Sequence, residues 1–398
     1  LSGGTHQLTV NQRPLNATLS RQYDGTTTSA GSDLSSFDAL QGGETLTLSG
    51  SGISASANVA NGITMSSNGN LALVDGTGLA SNYSLNSTVI NITERVLNSS
   101  GSKIYDANTD ALAADITLSN LVSGEALNHS GTATISSANV GSYTISNLTG
   151  ITIADGSGGT ASNYTLTGGT HQLTINQRPL NATLARQYDG TTNAAGSDLS
   201  SFDALQGGET LTLNGSGTAT NDNVANGISV SSLGSLALVN GTGLASNYSL
   251  NSAAINITHR VLTSSGSKTY DANTNALAAD ITLSNLVSGE ALNHSGTASI
   301  SSANTGSYTI TNLAGITIAD GSGGAASNYT LTGGTHNFTV NPKVISLSGS
   351  RLYDATTDAV ASDLTTISGL VGSETLNLSG TGSVTNANVA SNKTVTLG

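Results

Sequence analysis

The chain has 398 residues, 11 Lys and Arg against 24 Asp and Glu, a net charge of −13 and only 9% charged residues. Basic residues this sparse exclude the phosphate-neutralising stripe of a nucleic-acid binder. The absence of cysteine excludes disulfides, Cys-ligated metals and a thiol nucleophile. Polarity comes instead from Ser, Thr, Asn and 48 Gly, which suits β-strands joined by Gly/Asn turns and not a charge-rich disordered tail.

In chain order, Leu1–Val10 (LSGGTHQLTV) matches Leu166–Ile175 (LTGGTHQLTI) and reads as the last strand of a preceding unit. Units follow at 11–92, 93–175, 176–257, 258–340 and 341–398, the last breaking off before its Ser-Asn-Tyr segment. The sequence therefore reads as a segment of a longer array. Tyr23, Tyr105, Tyr188, Tyr270 and Tyr353 open the units at spacings of 82, 83, 82 and 83 residues, each followed by Asp: Asp24, Asp106, Asp189, Asp271 and Asp354. Units 11–92 and 176–257 (type A) resemble each other more than they resemble 93–175 and 258–340 (type B), so a two-unit block was duplicated. A fixed long period sets the architecture before any local motif is read.

Within a unit the signals are those of short strands. Leu15–Leu19 leads into Tyr23, Thr45–Ser49 alternates apolar and polar, and Ile63–Met65, Leu71–Val74, Tyr83–Leu85 and Val89–Ile92 follow. Gly42-Gly43, Asn61-Gly62 and Asp75–Gly78 punctuate them. At Asp33–Leu40, or at Ala111–Leu121 in the sister unit, the spacing of Leu and Phe admits one short helix. The joints between units hold only Gln-Arg-Pro or Thr93-Glu94-Arg95, and Pro14 and Pro179 fix φ there. The prediction is all-β: small β-grasp-like or β-sandwich-like domains linked end to end in a semi-rigid rod on the order of 200 Å. The rival, a parallel β-helix, needs a sub-period of 20–30 residues, and none is present.

Four motifs recur together: Tyr-Asp-Gly/Ala, Gly-Glu-Thr-Leu-Thr-Leu, Ala-Asn-Val (Ala57-Asn58-Val59, Ala138-Asn139-Val140) and Ser-Asn-Tyr. In these the chain resembles the YDG-type repeat regions of large bacterial surface adhesins of the filamentous-haemagglutinin-like, two-partner-secreted kind. Three of five copies read Tyr-Asp-Ala, a departure that frees the turn from a strict need for glycine. The resemblance implies an extracellular stalk on a Gram-negative surface, mediating attachment or biofilm cohesion through many weak contacts. It implies no known receptor and no catalytic residues.

Each candidate site has a plainer reading beside it. Tyr83, Tyr164, Tyr248 and Tyr329, with the five opening tyrosines, must supply aromatic core in a chain without Trp, their hydroxyls bonded to backbone; a sugar-binding platform is the alternative. The unit-opening Asp residues cap their turns. Glu44, Glu125, Glu209, Glu290 and Glu374 recur in every unit, which favours solubilising charge over a glycosidase dyad, so no enzyme is expected. Asp75, Asp155 and Asp320 begin Asp-Gly turns that could offer oxygens to Ca2+, though the matching residue in unit 176–257 is Asn240. No other cofactor is expected. His6, His171 and His336, like His129 and His294, lie in different units and cannot share a metal. A Lys–Asn cross-link at Lys103 or Lys268 is disfavoured because Arg21 and Arg186 take the same position. Asn16, Asn82, Asn91, Asn128 and Asn163 head glycosylation sequons. Expected partners are neighbouring repeats, fibres formed by self-association, and a host glycan or protein; membrane insertion by this segment is not expected.

Overall fold

The computed structural model describes residues 2–398; Leu1, part of the expected leading strand, lies outside the described residues. In the first repeat, strands run β1 (Arg13–Gln22), β2 (Thr28–Ala30), β3 (Leu34–Phe37), β4 (Leu46–Ser49), β5 (Ser51–Ser54), β6 (Ala60–Ser67), β7 (Ala72–Asp75) and β8 (Tyr83–Thr93). They form a six-stranded sheet in the order β2-β5-β6-β8-β1-β3 and a two-stranded sheet β4-β7. Alternation explains the sheet faces. Leu15, Ala17 and Leu19 of β1 are buried between outward Asn16, Thr18 and Ser20, and Ile90 and Ile92 of β8 are buried beside them. Each such Leu or Ile, taken wholly out of water, contributes about 1.5–3 kcal/mol.

The pairing of β1 with β8 is parallel. It runs from Arg13 opposite Tyr83 to Gln22 opposite Thr93, ten residue pairs with one bulge after Leu15. Both strands thus point toward the pole where the chain leaves the repeat. This places Tyr23, just past β1, at that exit pole, where its N–H donates to the Thr93 carbonyl at 2.9 Å. Tyr83, at the start of β8, sits at the opposite, entry pole beside Arg13.

The second repeat repeats the plan with β9 (Arg95–Val96), β10 (Asn98–Ile104), β11 (Asp110–Leu112), β12 (Ile116–Ser119), β13 (Leu127–Thr134), β14 (Gly141–Thr144), β15 (Ile151–Asp155), β16 (Tyr164–Thr165) and β17 (His171–Asn176). Sheets β12-β10-β17-β14, β11-β13-β15 and β16-β9 result. Its first and last strands are again parallel neighbours, over six pairs in β10–β17 and two in β9–β16. A core cluster runs from Leu19, Tyr23, Ile90 and Ile92 of the first repeat into Leu97, Leu118 and Tyr164 of the second. The two repeats therefore share buried surface across their joint.

The chain divides into two compact units. One runs up to Leu180 and adds Ala204–Thr212 and Leu238–Asn251; the other holds Asn181–Asp203, Leu213–Ala237 and Ser252–Gly398. The second unit contains the fourth repeat, whose core is built on Ala276, Ile281, Ile300, Ile310, Phe338 and Val340.

Three expectations are corrected. The stretches read as a short helix are strands β3 and β12, each preceded by one 3-10 turn, Gly31–Asp33 and Ala113–Asp115. A three-residue turn ends there because the next residues join antiparallel ladders with β1 and β10. Residues 2–10 form no strand, and Leu8 and Val10 are 89% and 86% exposed. Their copy, β17, is held between β10 and β14. In the fifth repeat Tyr353 is 64% exposed, unlike the buried Tyr23, Tyr105 and Tyr188.

Candidate functional site

The recurring motifs converge on the joints between repeats. At the first joint the exit-pole Tyr23 meets the entry-pole Tyr164 of the next repeat edge to face, with ring centroids 5.4 Å apart at 78°. Both hydroxyls donate to one carboxylate: Tyr23 to Glu125 Oε1 at 2.6 Å and Tyr164 to Oε2 at 2.7 Å. The Tyr164 oxygen also accepts the Val122 N–H at 3.0 Å. Beside the rings, the side chain of Asn163, 1% exposed, accepts the Val59 N–H at 2.9 Å and donates to Asn58 Oδ1 at 3.0 Å. Arg95 closes the site by donating to the Asn120 carbonyl at 2.6 Å and the Tyr23 carbonyl at 3.4 Å.

The arrangement recurs. Tyr105, Glu209 and Tyr248 repeat it with rings 5.2 Å apart, Asn247 bonds Val140 and Asn139, and Arg178 reaches the Tyr105 carbonyl. Tyr188, Glu290 and Tyr329 do so at 5.5 Å, with Asn328 on Val224 and Asn223, and Arg260 on the Tyr188 carbonyl. Tyr270 donates to Glu374 of the fifth repeat. At the entry pole of the first repeat, Tyr83 donates to Glu44. Hydrogen bonds from a phenol to an ionised carboxylate are short and about twice as strong as neutral ones. Burial first, then the hydrogen bond to glutamate, pushes the phenols of Tyr23, Tyr105, Tyr188 and Tyr248 up to about 12. They stay protonated donors at any neutral pH.

A family model described as the YDG domain matches residues 6–90, 93–172, 171–256, 253–337 and 336–398. The chain belongs to the YDG-domain family. No curated protein matches it. Among solved structures, the chain is similar to the Bacillus anthracis TIE protein, at 10% identity and TM-score 0.17, covering 74% of this chain and 55% of that one. It is also similar to the pilus adhesin SpaC from Lactobacillus rhamnosus GG in its open conformation, at 10% identity and TM-score 0.17, covering 71% and 47%. It spans about half the length of these structures, and likenesses this slight carry no argument.

The remaining candidates fall elsewhere in the YDG repeats. Asp24 accepts the Thr26 N–H at 2.9 Å and pairs with Arg21; burial pushes its carboxyl up, but the bonds from Arg21 and Thr26 outweigh this and hold it below the usual range. Lys103 takes the place of Arg21, bonding Asp106 at 2.9 Å and Asn108 Oδ1 at 2.8 Å. Asp75, Asp155 and Asp320 each accept one N–H, from Ala80, Ala161 and Ala326, at 2.7 Å, and Asn240 does the same for Ala245. These are the N–H groups that open the 3-10 turns before each Ser-Asn-Tyr tyrosine. Among the described residues, no three or more His, Asp or Glu gather at one point. His171 and His336 are buried in separate repeats, each between a serine hydroxyl (Ser99, Ser264) and a backbone carbonyl. His129 bonds the carbonyls of Ala113 and Ile116.

Two readings change. The glutamates are not solubilising charge: each accepts one or two tyrosine hydroxyls, and the Ser-Asn-Tyr hydroxyls bond a carboxylate and a backbone N–H together. Asn163 cannot carry a glycan in this fold, since its amide is buried and engaged at both ends. Asn16, Asn91 and Asn128 also use their side chains, toward Asp38, Gly62 and Asp155, while Asn82 is exposed. Sequence reasoning missed the shared glutamate. The signal was there: Tyr23 and Glu125, 102 residues apart, are one period plus about one motif spacing, which is the signature of contact between neighbours.

Proposed function

We propose that this segment is a load-bearing stalk of a bacterial surface adhesin, secreted to or displayed on the outside of the cell, and that it bears tension without catalysing a reaction. One observation supports it above the rest: the first and last strands of a repeat are adjacent and parallel, ten pairs in β1–β8. Tension on the chain pulls β1 toward the entry pole and β8 toward the exit pole. The strands must then slide past each other, which loads every ladder hydrogen bond together in place of one after another. The joints carry the load onward, because the last strand of each repeat leads into the first strand of the next within a few residues. Five YDG domains in tandem and the family resemblance support the surface location. Among the described residues, no helix is long and apolar enough to cross a membrane. A carbohydrate-binding array remains the alternative, but it needs outward tyrosine faces, and the rings of Tyr23, Tyr105, Tyr164 and Tyr248 are buried in joints.

Single-molecule pulling on the full 398-residue chain tests this. The expected trace is a sawtooth, each peak releasing roughly 250–300 Å of an 82-residue repeat. Type A repeats should outlast type B, whose parallel pairing is split into six and two pairs. A trace with no discrete peaks would overturn the load-bearing reading.

A further inference from the structure

The joints are of two kinds, and they differ where one residue of the exit pole faces the next repeat. At type A exits this residue is glycine, Gly25 at φ +78° and Gly190 at φ +73°. The next repeat there presents valine: a Cβ added to Gly25 would lie 2.9 Å from Val122 Cγ1, and one added to Gly190 2.9 Å from Val287 Cγ1. At type B exits the residue is alanine in the same left-handed region, Ala107 at φ 63° and Ala272 at φ 60°. Opposite Ala107 stands glycine, Gly207, whose added Cβ would lie 3.6 Å from the Ala107 methyl. A bare exit thus meets valine, whereas at the second joint the residue three before the shared glutamate is Gln206, and a Cβ on Gly207 would meet Ala107 at an ordinary contact distance.

We infer that this contact is a one-sided matching code: glycine at a type A exit, Gly25 or Gly190, lets the exit close on a valine-bearing entry, Val122 or Val287, and a methyl in its place is excluded. Real Cβ atoms do not approach a methyl to 2.9 Å, so a methyl-bearing exit cannot close on a valine-bearing entry in the geometry of the first and third joints. Selection works here by steric exclusion of the wrong neighbour, which near-identical tandem repeats need if they are not to mispair. The fourth joint brings an alanine exit, Ala272, to a valine entry, Val371. A cavity of about 530 Å3 lies there, lined by Tyr270, Asn304, Ile345, Val371 and Glu374.

Hydrogen exchange on the full chain tests the code through a reporter inside the joint, the Val224 amide that donates to Asn328. Gly190→Ala should speed its exchange roughly ten- to a hundredfold, the range for one methyl forced into a packed contact. In a Val287→Ala background, the same Gly190→Ala change should have almost no further effect. If backbone strain at positive φ were the whole cause, Gly190→Ala would cost the same in both backgrounds, and the code would be overturned. The same pair at the first joint, Gly25→Ala with and without Val122→Ala, gives an independent reading from the Val59 amide. Unchanged exchange in both glycine variants would also overturn it.

Discussion

At the residue scale, Glu125, Glu209 and Glu290 do what no hydrophobic residue could: each satisfies two phenols from two different repeats with its two oxygens. Glu209→Gln removes the charge and one acceptor, leaving either Tyr105 or Tyr248 facing an amide N–H. The expected loss is about 1.5–3 kcal/mol, read as a lower melting midpoint, with little change for a charge removed elsewhere on the surface. Asn247→Ala should cost about 1–3 kcal/mol, because the Val140 N–H it serves loses its acceptor. The phenols give a pH signature as well. Tyr23, Tyr105, Tyr188 and Tyr248 ionise near 12 in the fold, against 10.0 for a free phenol. The stability they contribute is intact below pH 10 and is lost as pH rises toward 12, so alkaline melting should steepen across that window while phenolate absorbance appears. The turn carboxylates behave differently. Because Asn240 serves Ala245 as Asp155 serves Ala161, Asp155→Asn should leave melting within about 0.5 kcal/mol. A midpoint that falls with EDTA in the parent and not in the variant would instead make that turn a calcium site.

At the element scale, the parallel neighbours β1 and β8 decide both fold and site. They put the end of the first strand at the exit pole and the start of the last strand at the entry pole, so Tyr-Asp-Gly meets Ser-Asn-Tyr of the following repeat. Truncating a residue in this pair, such as Ile90→Ala, should cost about 2–5 kcal/mol, since Ile90 is wholly buried beside Leu19 and Tyr23. Period-two alternation made β1, β4 and β8 legible in the sequence, and the Gly-rich turns marked their ends. What alternation could not give is partner choice. Nothing local in Leu15–Leu19 says that its neighbour lies some 70 residues on and runs parallel. The Leu and Phe spacing at Asp33–Leu40 suggested a helix because spacing alone cannot weigh a local turn against a ladder with a distant strand. The buried Asn163 was hidden for the same reason: a sequon reads as surface until its partner in the previous repeat is known.

At the scale of the whole molecule, the YDG repeats are built to be joined head to tail. Exit and entry faces differ and complement each other, a head-to-tail contact and not a self-complementary one. Five ordered copies are plain in the sequence through the tyrosine period, whereas glycine at the type A exits gains meaning only with Val122 and Val287 seen opposite Gly25 and Gly190. The proposed stalk role requires the repeats to lie end to end. Small-angle scattering from the purified chain tests it most directly. A stalk gives a maximum dimension on the order of 200 Å, about five repeats of 35–45 Å laid end to end. A particle under about 80 Å, the size of a single globule of this length, would contradict it.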